Sequence, residues 1–160
     1  MLSIRKMLKE DIAKVQDIAR KSWHATYEGI IPMGIQDNFL NAAYSDEMME
    51  RRMSHSLVYV AEFNHNVVGF ANYAGPNGKG EVELTAIYIY PEYQGDGIGT
   101  ALLQTGIDEI DGVKSILIDV EKENKIGRAF YNAKGFNVMK EFDDDFDGHI
   151  LKTIRMVLEV

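Results

Sequence analysis

The sequence contains no cysteine, 3 prolines and a single tryptophan among its 160 residues. Without cysteine there is no disulfide framework, no thiol nucleophile and no cysteine-type zinc site. No run approaches the roughly 18 consecutive apolar residues of a membrane-spanning helix. The stretch from Met1 to Asp11 carries charges where a secretory leader is apolar. Cations are also scarce: 17 Lys and Arg stand against 25 Asp and Glu, a formal charge of −8. That balance argues against nucleic acid as a partner and for small cationic ones. His24, His55, His65 and His149 show no ligand spacing, so no metal site is expected. Asp143 to Gly148 begins like a calcium loop, but the twelfth position is Ile154 instead of glutamate, and the stretch is expected as a solvated hairpin tip. The expectation is a soluble, cytoplasmic protein with neither nucleic-acid nor membrane partners.

What is present is a sizeable apolar fraction, 46%, in a chain of ordinary domain length, so residues 1–160 are expected to form one domain around one core. Leu2–Lys6 reads as a short strand. From Glu10 to Trp23, Ile12, Val15, Ile18 and Ala19 recur at helical spacing. Asp46–Ser54 reads as a second helix capped by Ser45, and Ala25–Tyr44, with Gly29, Pro32 and Gly34 among aromatics, reads as loop with a short helical turn. Leu57–Phe63 and Val67–Ala74 flank Asn64-His65-Asn66 as a hairpin. Glu81–Tyr90 is a β-branched and aromatic strand closed by Pro91, followed by a helix from Ile98 to about Gly112. Then come a strand (Ser115–Glu121), a helix (Asn124–Lys134), a strand (Phe136–Phe142), an acidic turn and a last strand (His149–Leu158). The strand–helix–strand segment Glu81–Glu121 predicts two parallel strands with a right-handed crossover. Ligands of such sheets sit at the carboxyl ends of parallel strands, here Ile87–Pro91 and Asp119–Glu123.

The most informative stretch is Gln94-Gly95-Asp96-Gly97-Ile98-Gly99-Thr100, between strand and helix. Alternate glycines let backbone amides at a helix start converge on an anion, which predicts a phosphate or pyrophosphate site. A nucleotide P-loop needs a lysine, and none lies from Gln94 to Gln104. The dinucleotide fingerprint fails in both registers, ending on Thr100 or Leu102 where glycine or alanine is needed.

The pattern that fits, Q/R-x-x-G-x-G/A, runs from Gln94 through Gly97 and Gly99, and here the chain resembles the GNAT superfamily of acetyl-CoA-dependent N-acetyltransferases. Ala86 to Gly95 is similar to the family's fourth strand and pyrophosphate loop. Asn124 through Phe130-Tyr131 to Gly135-Phe136 resembles its N-x-x-A-x-x-F-Y-x-x-x-G-F segment, with Gly127 where alanine is usual. Ser22 to Tyr27, with Gly29 to Pro32, is similar to one large subgroup, so the likeness spans nearly the whole chain. The resemblance implies an α/β fold of the GNAT type: a mixed, mostly antiparallel sheet of about seven strands, helices on both faces, and a splayed pair of parallel central strands.

It also implies acetyl-CoA as cosubstrate. Backbone at Ile87, Tyr88 and Ile89 would pair with the pantetheine arm, and amides from Gln94 to Thr100 (Gly95, Asp96, Gly97, Ile98 and Gly99 between them) would hold the pyrophosphate. Asn124, Tyr131 and Lys134 complete the implied cofactor contacts. Acetyl transfer needs a neutral amine, a stabilised oxyanion and a proton for the leaving thiolate. An alkylamine of pKa ~10.4 is neutral in only about one molecule in a few thousand at pH 7, so a base is required. Glu83 matches a family glutamate and is the candidate base, with Glu81 as fallback; Tyr131 is the candidate acid, a phenol near its ordinary pKa of ~10. Trp23, His24, Tyr27 and Glu28 are candidates for the acceptor wall. The acceptor expected is a primary amine of a small cationic molecule or of a peptide, and a homodimer is compatible with the family. A non-catalytic module sensing acyl-CoA is the alternative.

Overall fold

The seven strands of the sheet are held in register mainly by hairpins, and only one neighbouring pair runs parallel. The computed structural model describes residues 1–160. The strands are β1 (Leu2–Lys6), β2 (Leu57–Phe63), β3 (Asn66–Ala74), β4 (Glu81–Ile89), β5 (Ser115–Glu121), β6 (Asn137–Phe146) and β7 (His149–Glu159). Their spatial order is β1-β2-β3-β4-β5-β7-β6. The helices are α1 (Ile12–Tyr27), α2 (Met33–Ala43), α3 (Asp46–His55), α4 (Ile98–Glu109) and α5 (Lys125–Ala133). This is the mixed, mostly antiparallel α/β architecture expected from the sequence.

Local chemistry explains most elements. Ser45 accepts the Met48 amide and starts α3. Asn64 and His65 both adopt positive φ, as the two-residue turn between β2 and β3 requires, and Asp147 with Gly148 does the same between β6 and β7. Three expectations need correction. Residues 25–44 are not a loop: α1 runs on to Tyr27 and α2 fills eleven residues, stabilised because the buried Gln36 donates its amide to the carbonyls of Tyr27 and Ile31. The Glu10 start moves to Ile12, behind a 3-10 turn over Lys9–Asp11. Nor is the whole acidic run a turn. Asp143, Asp144 and Asp145 are strand residues of β6, on the outer edge of the sheet, where charge discourages further strand pairing.

The feature that positions the site is a fork. β4 and β5 pair in parallel only through Glu81–Ser115, Val82–Ile116 and Glu83–Leu117. Beyond that point β4 stays with β3 as far as Ile89–Gly69, while β5 stays with β7 as far as Glu121–Thr153. The cause is visible in the β3–β4 register. Asn72 faces Ala86 and Tyr73 faces Leu84, leaving Thr85 as an extra residue, with its hydroxyl donating to the Asn72 carbonyl. Such a bulge bends its strand and increases the local twist, here steering β4 away from β5.

Helix α4 lies against β3 and β4, and its approach is set by Gly106. A Cβ there would come within 2.3 Å of the ring of Tyr73, which is fully buried and donates its hydroxyl to the Leu102 carbonyl. Gly106→Ala is therefore expected to destabilise the protein by about 1–3 kcal/mol, the usual effect of overpacking a core, read as a lower urea midpoint.

Candidate active site

The fork opens into a cleft of about 810 Å³. One wall is the freed end of β4, including Ile87, Tyr88 and Ile89; the opposite wall is Asp119 and Val120 of β5 with the start of α5. The last turn of α1, through Thr26 and Tyr27, closes one side.

The glycine segment lies at the mouth, with Gln94, Gly95, Gly97, Gly99 and Thr100 all on the wall. Gly95 and Gly97 adopt φ +88° and +81°, and a Cβ on either would meet nothing within 4 Å. These glycines are required by backbone conformation and leave open space above the main chain. Gly97 is the N-cap of α4 and offers no side-chain cap, so the first amides of that helix face the cleft with the positive end of the dipole behind them. Gly99 serves a different purpose: its missing Cβ admits the Phe130 ring, whose nearest atom would lie 3.1 Å from it. Asp96 is exposed on the loop and off the wall, and Ile98 is buried with its side chain toward Gly69 of β3.

On the α5 side, Asn124, Phe130, Tyr131 and Lys134 line the cleft. The Asn124 side-chain oxygen accepts the Gly127 amide at 2.9 Å and caps α5, so its NH₂ is the group left to donate. Tyr131 is 8% exposed. Burial pushes its phenol well above the ordinary value, and the nearby Tyr88 adds to the shift. The expectation of an unperturbed phenol is therefore corrected: Tyr131 stays protonated throughout the physiological range. Tyr27 is raised in the same way, chiefly by burial, with Tyr88, Tyr131 and Glu121 around it.

The remaining candidates are scattered. Trp23 is buried, stacked on Phe39 at 4.5 Å and near Phe146 at 5.7 Å. His24 meets Asp37 at 3.1 Å, away from the cleft. Glu28 faces a smaller cavity of about 380 Å³ that also touches Gln36 and His149. Of the acceptor-wall residues, only Tyr27 reaches the main cleft. Glu83 is exposed at the base of the fork, off the cleft wall but close enough to raise the pKa of Arg155. Glu81 accepts from Asn77 at 2.8 Å. Asp119, by contrast, is on the wall, and Arg155 grips both its oxygens at 2.8 and 3.0 Å. Sequence reasoning did not assign it to catalysis. The signals were its place at the carboxyl end of a parallel strand and its alternation with the buried Ile116, Ile118 and Val120.

The model of the acetyltransferase (GNAT) family matches residues 15–136. The chain belongs to the GNAT family of acetyltransferases. Among its relatives, this acetyltransferase is 28% identical over 153 residues to the spermidine N(1)-acetyltransferase of Thermoplasma acidophilum, covering 91% of this chain and 94% of that one. It is 31% identical over 155 residues to an uncharacterised N-acetyltransferase of Bacillus subtilis, covering 92% and 86%. Its fold superposes on the crystal structure of the PaiA N-acetyltransferase of Thermoplasma acidophilum in complex with coenzyme A, with a TM-score of 0.87, 26% identity, and coverage of 100% and 99%.

The cap on α5 packs directly over Gly127, where a Cβ would lie 2.7 Å from the Asn124 amide nitrogen. In Gly127→Ala, the helical gain of about 1 kcal/mol offsets a cap loss of about 1 kcal/mol, leaving net stability nearly unchanged. The displaced amide is expected to shift the Asn124 side-chain NMR resonance and to lower affinity for coenzyme A several-fold by calorimetry.

Proposed function

We propose that this acetyltransferase moves the acetyl group of acetyl-CoA directly to a primary amine of a small polycation. The observation carrying the proposal is that the unpaired edge of β4 leads straight to the uncapped, glycine-walled start of α4. One continuous channel thus joins a strand edge suited to an amide-rich arm and an amide cluster suited to a diphosphate. Acetyl-CoA supplies the activated thioester. The amides of residues 94–100 bind the diphosphate, the backbone of residues 87–89 orients the pantetheine arm, and Asn124 donates to it from across the cleft. Lys134, also on the cleft wall, is assigned to the same contact set.

The protonated Tyr131 hydroxyl delivers a proton to the departing sulfur. Burial keeps the hydroxyl protonated and so available as a donor, while making it a weaker acid than a solvated phenol. On the acceptor side, Glu83 removes the ammonium proton through water, since it stands beside the fork and forms no ion pair. Asp119 is nearer the cleft, but both oxygens of its carboxylate already accept from Arg155.

Support for a polycation comes from the net charge of −8, the partly exposed aromatic wall of Tyr27, Phe39 and Phe146 over Trp23, and the aspartates just before Phe146. Aromatic faces and carboxylates together suit an alkylammonium chain. The named activity of the Thermoplasma acidophilum relative is consistent with this class.

Thiol release from acetyl-CoA across an amine panel tests the reading. Spermidine is expected to exceed a monoalkylamine and an unmodified peptide; a peptide far ahead of both would overturn the acceptor class. Tyr131→Phe is expected to lower kcat by about 10²-fold, the lower end for a lost general acid, with the KM for acetyl-CoA little changed.

The two carboxylates are separated by Glu83→Gln and Asp119→Asn. The first is expected to cut kcat/KM for the amine by about 10²-fold at pH 7 and to recover as the pH approaches that of the free amine. The second is expected to have the smaller effect, and the reverse order would move the base to Asp119.

A further inference from the structure

Glu121 is the last residue of β5 and one of few buried ionisable groups, at 7% exposure. It lies opposite Thr153 of β7, at the end of the strand wall of the fork. Burying a carboxylate is unfavourable unless donors meet it. Here one does: its Oε2 accepts the Glu123 amide at 2.6 Å. Burial still raises its pKa, despite the amides of Glu123, Asn124 and Lys122 that favour the charged form.

The segment it touches leads directly to the cleft. The Asn124 amide returns to the Glu121 carbonyl at 3.0 Å, and the Lys122 amide is held by the Lys152 carbonyl at 2.8 Å. The Asn124 side chain caps α5 through Gly127 and stands on the cleft wall beside the Tyr27 hydroxyl. Tyr27 of α1 packs beside both Glu121 and Asn124. The side chain of Glu121 thus fixes a three-residue turn from beneath, while Asn124 and Gly127 fix it from the helix end.

We infer that Glu121 is a positioning residue for acetyl transfer, whose carboxylate holds the 122–124 turn so that the Asn124 amide is presented to the cofactor. The inference rests on the acetyl-CoA reading above. What matters is the reach of an acceptor oxygen to the Glu123 amide, more than the charge. Glutamine keeps that reach without the charge, and aspartate keeps the charge but is one methylene too short.

Steady-state kinetics on Glu121→Gln, Glu121→Asp and Glu121→Ala separates the two. Glu121→Asp and Glu121→Ala are expected to raise the KM for acetyl-CoA about tenfold, equivalent to one lost hydrogen bond to a charged group, with kcat within about twofold. Glu121→Gln is expected to stay within about twofold of wild type in both parameters. The inference is overturned if aspartate is tolerated and glutamine is not, if all three retain the wild-type KM, or if kcat falls alone. Should Glu121→Ala fail to fold, the Gln and Asp variants decide by the same criteria. Wild-type protein showing no calorimetric affinity for coenzyme A would sink the parent reading as well, and would register before any variant is made.

Discussion

The site depends on two strands parting. Three parallel pairs tie β4 to β5, and then the bulge at Thr85 turns β4 aside while β7 keeps β5 in place. A sheet that stayed closed would satisfy its backbone groups internally. Opening it leaves one edge of β4 with donors and acceptors facing a cleft instead of a neighbour, an arrangement that needs an outside partner with the hydrogen-bonding pattern of a strand. The amide groups of the pantetheine arm have that pattern. Around this opening the fold arranges the rest: α4 brings its uncapped amides to one end, α5 brings Asn124 and Tyr131 to the other, and α1 closes the side with Tyr27.

The electrostatics of the cleft follow from its burial. Three phenols, Tyr27, Tyr88 and Tyr131, are all driven toward their neutral forms, chiefly by loss of water. A pocket lined with neutral hydroxyls lets a proton be held without a competing negative charge at the same point. Of the carboxylates, Asp119 on the wall is matched to Arg155, while Glu83, off the wall, has no ion pair. The proposed transfer would use this separation, taking a proton at a carboxylate and giving one from a phenol.

Much of this was legible in the residues. The apolar runs of β2 and β3, the β-branched run of β4, the Asn64-His65 turn, the Ser45 cap and the glycine segment each carry a local cause, and the structure places them where local rules would. Helix α2 was obscured because Pro32 and Gly34 read as punctuation; the compensating interaction, Gln36 reaching back to the end of α1, is tertiary. The bulge at Thr85 leaves no mark in a β-branched run, since an extra residue is defined by its partner strand. The sequence placed Asp119 and Glu121 at a ligand-binding strand end, but not which of them meets the cleft, because that depends on which interface opens. His24 and Glu28 had a plausible neighbourhood in the sequence but were carried away from the cleft by the close of α1 at Tyr27.

The outer strand has a further consequence. β6 presents Asp143, Asp144 and Asp145 on an edge whose main-chain groups face outward, with Lys152 answering Asp143 from β7. Two copies approaching side by side through this ribbon would bring together the unpaired Asp144 and Asp145 of each before any ladder could form. The same row therefore makes this edge a poor template for a second copy of the chain.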